Sequence, residues 1–180
     1  MSEALIDRQQ RQPAGLLGRL IGPRLTRDQR REYEWALGLL DPQATDHILH
    51  IGDEPGLISR RGRVVRHQAD VTTLPFPDQH FNKVLCSRSL YAWPRPLAGL
   101  RELHRVLGPG GVLVLAIQPT ALWHTASPGT PDDAGEVLHL LRTAGFTRAT
   151  IRATGDPAYP APCCVVAVKE PHATRSRLTR

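Results

Sequence analysis

The 180-residue sequence has no run of eighteen apolar residues, nor the basic start, short apolar stretch and small-residue cleavage site of a secretory leader. A soluble, cytoplasmic protein without membrane contact is therefore expected. Cysteine is scarce, with three in the chain. Cys163 and Cys164 are adjacent, which does not suit a long-range disulfide, and Cys86 falls in an apolar, strand-like run. The thiols read as small apolar packing residues, since a reactive one needs an exposed, electropositive setting. No Cys/His spacing has the form of a zinc site, so no metal is expected. Internal repeats are absent as well.

Charge is uneven along the chain. Residues 1–31 carry a net +4 and residues 169–180 a net +3, whereas residues 32–168 carry −1. The basic excess sits in the two arms and not in the body. These arms lack interleaved aromatics and read as solvated tails, so nucleic acid is not an expected partner. The organisation expected is a mobile basic arm over 1–27, one folded domain over 28–170, and a disordered basic tail over 171–180.

The body is organised around residues 69–119. A proline-punctuated turn, Leu74-Pro75-Phe76-Pro77-Asp78, leads into a short buried strand from Lys83 to Cys86. A helix starts near Pro96 with Leu97, Leu100, Leu103, Val106 and Leu107 at helical spacing. Gly108-Pro109-Gly110-Gly111 breaks it, and Val112 to Ile117 is an apolar run suited to a strand covered on both faces. Strand, helix and strand in this order make a βαβ unit of a parallel sheet, so the fold class is α/β.

Elsewhere the signals are shorter. Thr26 or Asp28 caps a helix to about Leu40, stopped by Asp41-Pro42. His47 to Ile51 is a strand that runs into Gly52-Asp53-Glu54-Pro55-Gly56, and Val64 to Ala69 is the next. Asp132 or Asp133 starts a helix to Ala144 that Gly145 ends. Phe146 to Thr154 and Cys163 to Val168 are the last two strands.

The block LPFPDQHFNKVLCS followed by RELHRVLGPGGVLVL resembles the second half of class I S-adenosylmethionine-dependent methyltransferases of the type 11-like group that acts on small molecules. The resemblance spans about fifty residues, with Asp70, Leu74 to Asp78, Phe81-Asn82 and Arg105 to Gly111 in the family's order. It implies a Rossmann-like, mostly parallel sheet ending in an antiparallel strand, with S-adenosylmethionine as cofactor. It also places the cofactor loop at Gly52, Asp53, Glu54 and Gly56, where the family has an acidic residue followed by alternating glycines. This chain departs from that pattern, with His50 at the acidic position and Glu54 at the middle glycine. A carboxylate there fills space that glycine leaves empty, and it either pairs with the cofactor's cationic groups or repels its carboxylate.

A larger departure follows. The family's next helix, its second strand and that strand's ribose-binding acidic residue have no counterpart, because only eleven residues, Asp53 to Arg63, separate Gly52 from Val64. That is close to the shortest crossover of about 10–12 residues. One or two helical turns, over Gly56 to Arg61, are expected there. The Val64 strand is then expected to pair directly beside the first strand, in the slot of the missing one. Asp70 would end it near the loop as a substitute acceptor for ribose hydroxyls or the adenine amino group, with Val71 beside it; a turn-capping role before Thr72-Thr73 is the alternative. Ser87 joins the cofactor residues by the same resemblance. Arg88, Tyr91, Trp93 and His124 line the expected substrate pocket, with aromatic core packing and a surface histidine as the alternatives.

Two functions are consistent with this. One is a shortened methyltransferase carrying a methyl group to a small-molecule acceptor. The other is a pseudoenzyme, a methyltransferase fold serving as a binding or accessory protein, to which Glu54 and the missing acidic strand point. The truncation also leaves a sheet edge that a homodimer or partner subunit would cover.

Overall fold

The structure is a computed structural model that describes residues 27–52, 62–67, 70–87, 89–117, 134–153 and 163–171, with Asp28 and Tyr91 described by backbone alone. By its contacts the chain divides after Arg31. The described part of the first unit is the opening turn of helix α1 (Arg27–Leu40), and all other described residues belong to the second.

Apolar residues at alternating depth make the sheet. Strands β1 (His47–Ile51), β2 (Arg63–His67), β3 (Phe81–Ser87), β4 (Leu107–Ile117), β5 (Arg148–Ala153) and β6 (Cys163–Val168) form one sheet in the order β2-β1-β3-β4-β6-β5. The first four are parallel; β6 runs antiparallel to both β4 and β5. Ile48, Leu85, Val114, Ala116 and Cys164 face Tyr33, Ala36 and Leu40 of α1. Their strand neighbours Leu49, Val84, Leu113, Leu115 and Val165 point the other way, onto Leu100, Leu103 and Val106 of α2 (Pro96–Val106) and Val137 and Leu141 of α3 (Ala134–Thr143). Burial on both faces is why these strands read as continuous apolar runs.

The Val64 strand does take the slot beside β1, in register from His47↔Arg63 to Ile51↔His67. Eleven residues, 52–62, join the two parallel neighbours. The return is tight at Gly62, whose φ of +87° is one that L side chains rarely adopt. A Cβ there would lie 2.9 Å from the carbonyl oxygens of both Gln43 and Asp46. The expected short helix over Gly56 to Arg61 lies outside the described residues.

Strand bounds shift by one or two residues, with β3 over Phe81–Ser87 and β5 over Arg148–Ala153, and one shift changes the type of an element. Leu107 is not the last residue of the helix but the first of β4, paired with Phe81. Its amide still caps α2 through the Leu103 carbonyl, while its own ψ of 135° is extended. The Gly108–Gly111 stretch does not separate helix from strand; it is an irregularity inside β4, since Phe81 pairs with Leu107 and Lys83 with Val112. Gly110 donates to the Lys169 carbonyl at 2.8 Å, and Lys169 donates to that of Gly111 at 2.9 Å, which holds the bulge to the chain after β6.

The proline turn has a definite anchor. Arg105 donates to both Glu102 oxygens at 2.8 Å, to the Phe76 carbonyl and Asp78 Oδ1 at 2.8 Å, and to the Leu74 carbonyl at 3.1 Å. Glu102 in turn accepts the Leu74 amide at 3.0 Å. A planar guanidinium with five donors suits this role where a lysine would not.

At the amino-terminal rim of the sheet, Asn82 accepts the His47 amide at 2.9 Å and donates to Asp46 Oδ1 at 2.6 Å. Lys83 pairs with Asp46 at 2.8 Å and also donates to the Asp41 carbonyl. Burial pushes the Asp46 carboxyl up, but hydrogen bonds from Lys83, the Gln43 amide and Asn82, with the Lys83 charge, hold it below the usual range. A carboxylate with a lowered folded-state pKa stabilises the fold above its unfolded value, about 3.9, and loses that contribution as pH falls through the folded value. Chemical denaturation from pH 7 to 2 should therefore show stability falling below about pH 4. Asp46→Asn should cost about 1–3 kcal/mol at pH 7 and flatten the acid limb.

Candidate functional site

Open parallel sheets place ligands outside the carboxyl ends of their strands, where connections leave in opposite directions. Here that point lies between β1, which is followed by β2 on one side, and β3, which is followed by β4 on the other. Gly52 stands at the end of β1, buried, with a φ of +150° that favours glycine. Asp53, Glu54 and Gly56 of the expected loop lie outside the described residues, as do Arg88 and His124.

Beneath Gly52 the two strand ends are tied by polar side chains. His50 and Ser87 are 0% and 3% exposed, and His50 Nε2 lies 2.9 Å from Ser87 Oγ. In the ladder His50 sits opposite Leu85, so Ser87 is its diagonal neighbour toward the carboxyl rim. The Tyr33 ring of α1 meets the imidazole edge-on, with centroids 5.5 Å apart and planes at 68°. On the other side, Arg66 of β2 is His50's opposite number. The sequence reading named Ser87 as a cofactor residue and His50 as a departure from the family pattern, but did not join the two. The one signal was a histidine in the otherwise apolar core of the β1 run, at the position where the family carries an acidic residue.

On the β2 side, Asp70 is exposed and its Oδ1 accepts the Thr72 amide at 2.8 Å. Hydrogen bonds from Thr72, side chain and then backbone, hold its carboxyl below the usual range, with Arg95 and His67 adding weaker attraction. His67 closes β2 opposite Ile51, one residue before Gly52. Its ring meets Phe76 edge-on at 5.9 Å, and its Nε2 is buried with no hydrogen-bond partner among the described residues. Val71 and Trp93 belong to the core and meet over Gly99 of α2. Trp93 keeps 6% exposure, so its ring packs in the interior. Tyr91 lies in the 3-10 turn Leu90–Ala92 that leaves β3.

The arrangement offers little acid–base chemistry. Burial pushes the Cys86 thiol up, and burial followed by the Glu32 charge does the same to Cys163 and Cys164, so none of the three is an activated nucleophile. Among the described residues no group of three metal-binding side chains converges, and no helix is long and apolar enough to cross a membrane. What the site does offer is a glycine turn at a strand end, an orphaned ring nitrogen on one side and a paired hydroxyl on the other.

A mostly parallel sheet with a glycine at its switch point is the layout of the doubly wound α/β domains. Comparison with known proteins narrows it. Residues 49–115 match the family model described as a methyltransferase domain. An uncharacterized methyltransferase of Bacillus subtilis, YdaC, is 24% identical over 143 residues, which is 63% of this chain and 78% of that protein. A 2-methyl-6-phytyl-1,4-hydroquinone methyltransferase of Oryza sativa is 38% identical over 55 residues, 29% of this chain and 17% of that protein. The chain thus spans about a sixth of the length of the first curated relatives it matches. Among solved structures, a chain of the Haloferax volcanii complex between the Trm112 methyltransferase activator and a methyltransferase superimposes with a TM-score of 0.66. It is 16% identical, and the overlap covers 81% of this chain and 91% of that one. The structure thus has the fold of class I methyltransferases, and residues 49–115 of the chain match a methyltransferase domain.

Gly99 decides how Val71 and Trp93 sit. A Cβ there would lie 2.8 Å from Val71 Cγ1 and 2.9 Å from Trp93 Cε3. Overpacking of this kind costs about 1–3 kcal/mol, against about 1 kcal/mol gained from helix propensity. Gly99→Ala should therefore be destabilised by up to about 2 kcal/mol in urea, with altered tryptophan emission from the displaced Trp93 ring. Unchanged stability and emission would mean that the ring has another place to go.

Proposed function

We propose that the chain is an active S-adenosylmethionine-dependent methyltransferase that transfers a methyl group to a small-molecule acceptor in the cytoplasm. The observation that carries this reading is Gly52, buried at the switch point in a conformation that favours glycine, inside the segment that matches the methyltransferase domain. The residues around it fit the cofactor. Asp53, Glu54 and Gly56 continue the loop in sequence. Asp70, with one carboxylate oxygen committed to Thr72, and the core residue Val71 follow β2 in sequence, three and four residues after its last residue His67. The unpartnered His67 Nε2 lies on the same side, suited to an adenosyl hydroxyl. Arg88, Tyr91 and His124 are assigned to the acceptor side by resemblance, whereas Trp93 packs in the core. The hydroquinone named for the rice relative is likewise a small molecule.

The cofactor, when bound, supplies a methyl group on a sulfonium, open to in-line displacement. Such a reaction draws chiefly on proximity and alignment, so the absence of a paired acid and base among the described residues is no obstacle. Three unpaired cysteines support a reducing compartment.

Isothermal calorimetry with S-adenosylmethionine and S-adenosylhomocysteine tests the reading. Saturable binding of both, at one site per chain, is the expected result. Silence at millimolar ligand would overturn it. Asp70→Asn should weaken both ligands about three- to tenfold by removing a charged acceptor.

A further inference from the structure

We infer that the outer edge of β5 is a docking strand for an acidic, extended peptide segment of another protein, which joins the sheet there as an added strand. The inference is independent of the methyltransferase reading. In the order β2-β1-β3-β4-β6-β5 this edge is separated from the switch point between β1 and β3 by β4 and β6.

The edge strand Arg148–Ala153 pairs on its inner side with β6, from Arg148↔Val168 to Ala153↔Cys163. Alternate residues of an antiparallel strand turn their N–H and C=O groups outward, and among the described residues no strand pairs with those of β5. The ladder is regular, and no proline or bulge blunts it. Side chains add selectivity to this backbone row. Arg148, Thr150 and Arg152 share one face, opposite Val168, Val166 and Cys164, and all three are exposed. Neither guanidinium has a carboxylate partner among the described residues. On the other face Ala149 packs against the core, while Ile151 keeps 44% exposure, more than any other large apolar side chain described.

Like charge works against a second copy as the occupant. Two β5 strands paired antiparallel about Thr150 would set Arg148 of each against Arg152 of the other. An acidic strand in the same register meets both guanidiniums with opposite charge, and an apolar residue in it covers Ile151. Exposed ion pairs are weak, so the backbone bonds and Ile151 supply the affinity and the arginines choose the partner. A nucleic acid would meet the charges and leave the outward N–H and C=O groups of the strand unused. The opposite edge suits this role less well. Arg63 and Arg66 of β2 fall on opposite faces by their spacing, and Arg63 lies 3.4 Å from His47 Nε2.

The test uses the full chain and a blocked, fluorescein-labelled peptide carrying Glu-Ile-Thr-Val-Glu, which antiparallel pairing sets against Arg152 to Arg148 in turn. Its anisotropy should saturate on titration, and amide exchange should slow in β5 and not in β2. A peptide with lysine at both glutamate positions should bind at least about tenfold more weakly. The double variant Arg148→Glu/Arg152→Glu should reverse the preference between the two peptides and, being changed only at exposed positions, keep its urea midpoint. A peptide with proline at both the isoleucine and the threonine position should bind about tenfold more weakly or not at all, since one of two adjacent N–H groups must face β5. Equal binding of the acidic and lysine peptides overturns the proposal, as does undiminished binding of the proline peptide or no saturation at millimolar peptide. So does a dimer in sedimentation whose β5 amides are protected without peptide. A single-stranded oligonucleotide that displaces the peptide and protects no β5 amide would make the arginines a nucleic-acid contact, and it too overturns the proposal.

Discussion

Eleven residues between β1 and β2 constrain the rest of this molecule. Parallel neighbours need a crossover, and one this short is near the least that can bring the chain back to the start of an adjacent strand. It cannot also carry a full helix, a strand and a second helix. The strand that follows must therefore lie directly against β1, and the ladder from His47↔Arg63 to Ile51↔His67 is the result. Everything at the site inherits this. The face at the switch point is built from three strand ends, and on the proposed reading His67 and Asp70 stand in for the acidic group of the missing strand. The sheet also stops at β2. Its described edge residues Arg63 and Arg66 are exposed, as are Arg148 and Arg152 on the opposite edge strand β5. Like charges set against one another oppose self-pairing at either edge.

The far half of the domain is held differently. LPFPD and RELHRVL lie some thirty residues apart in sequence yet form one structure, because the Arg105 guanidinium donates to the carbonyls of Leu74 and Phe76 and to Asp78 while Glu102 takes the Leu74 amide. Each motif supplies what the other leaves unsatisfied. The turn thus fixed carries Phe76 onto His67 and Phe81, which ties the end of β2 to the base of β3. A turn and a helix at a distance from Gly52 in this way set the position of the strand end beside it.

Much of this was legible in the residues. The β1 bounds, the displaced β2 slot and the Gly145 stop follow from apolar patterning, crossover length and glycine placement, all of them local or topological constraints, while the antiparallel final pair was implied by the family resemblance. Leu107 was misread because helical spacing continued one residue past the last helical turn, while its pairing with Phe81 is a tertiary fact that no periodicity carries. The His50–Ser87 bond was illegible for a similar reason, since the two residues are 37 positions apart and meet only once β1 and β3 are in register. The aromatic residues near Pro94 gave no sign of whether the Trp93 ring turns inward. Trp93 does so because Gly99 leaves room for it.

The account stands on a ligand lying across three strand ends despite the lost strand. A crystal structure of the chain grown with S-adenosylhomocysteine tests this most directly. It should show the adenosyl group between Gly52 and the end of β2, within hydrogen-bond reach of Asp70 or His67, and the amino-acid end toward Ser87. A side chain filling the space above Gly52, with the ligand elsewhere or absent, would leave the architecture and remove the chemistry.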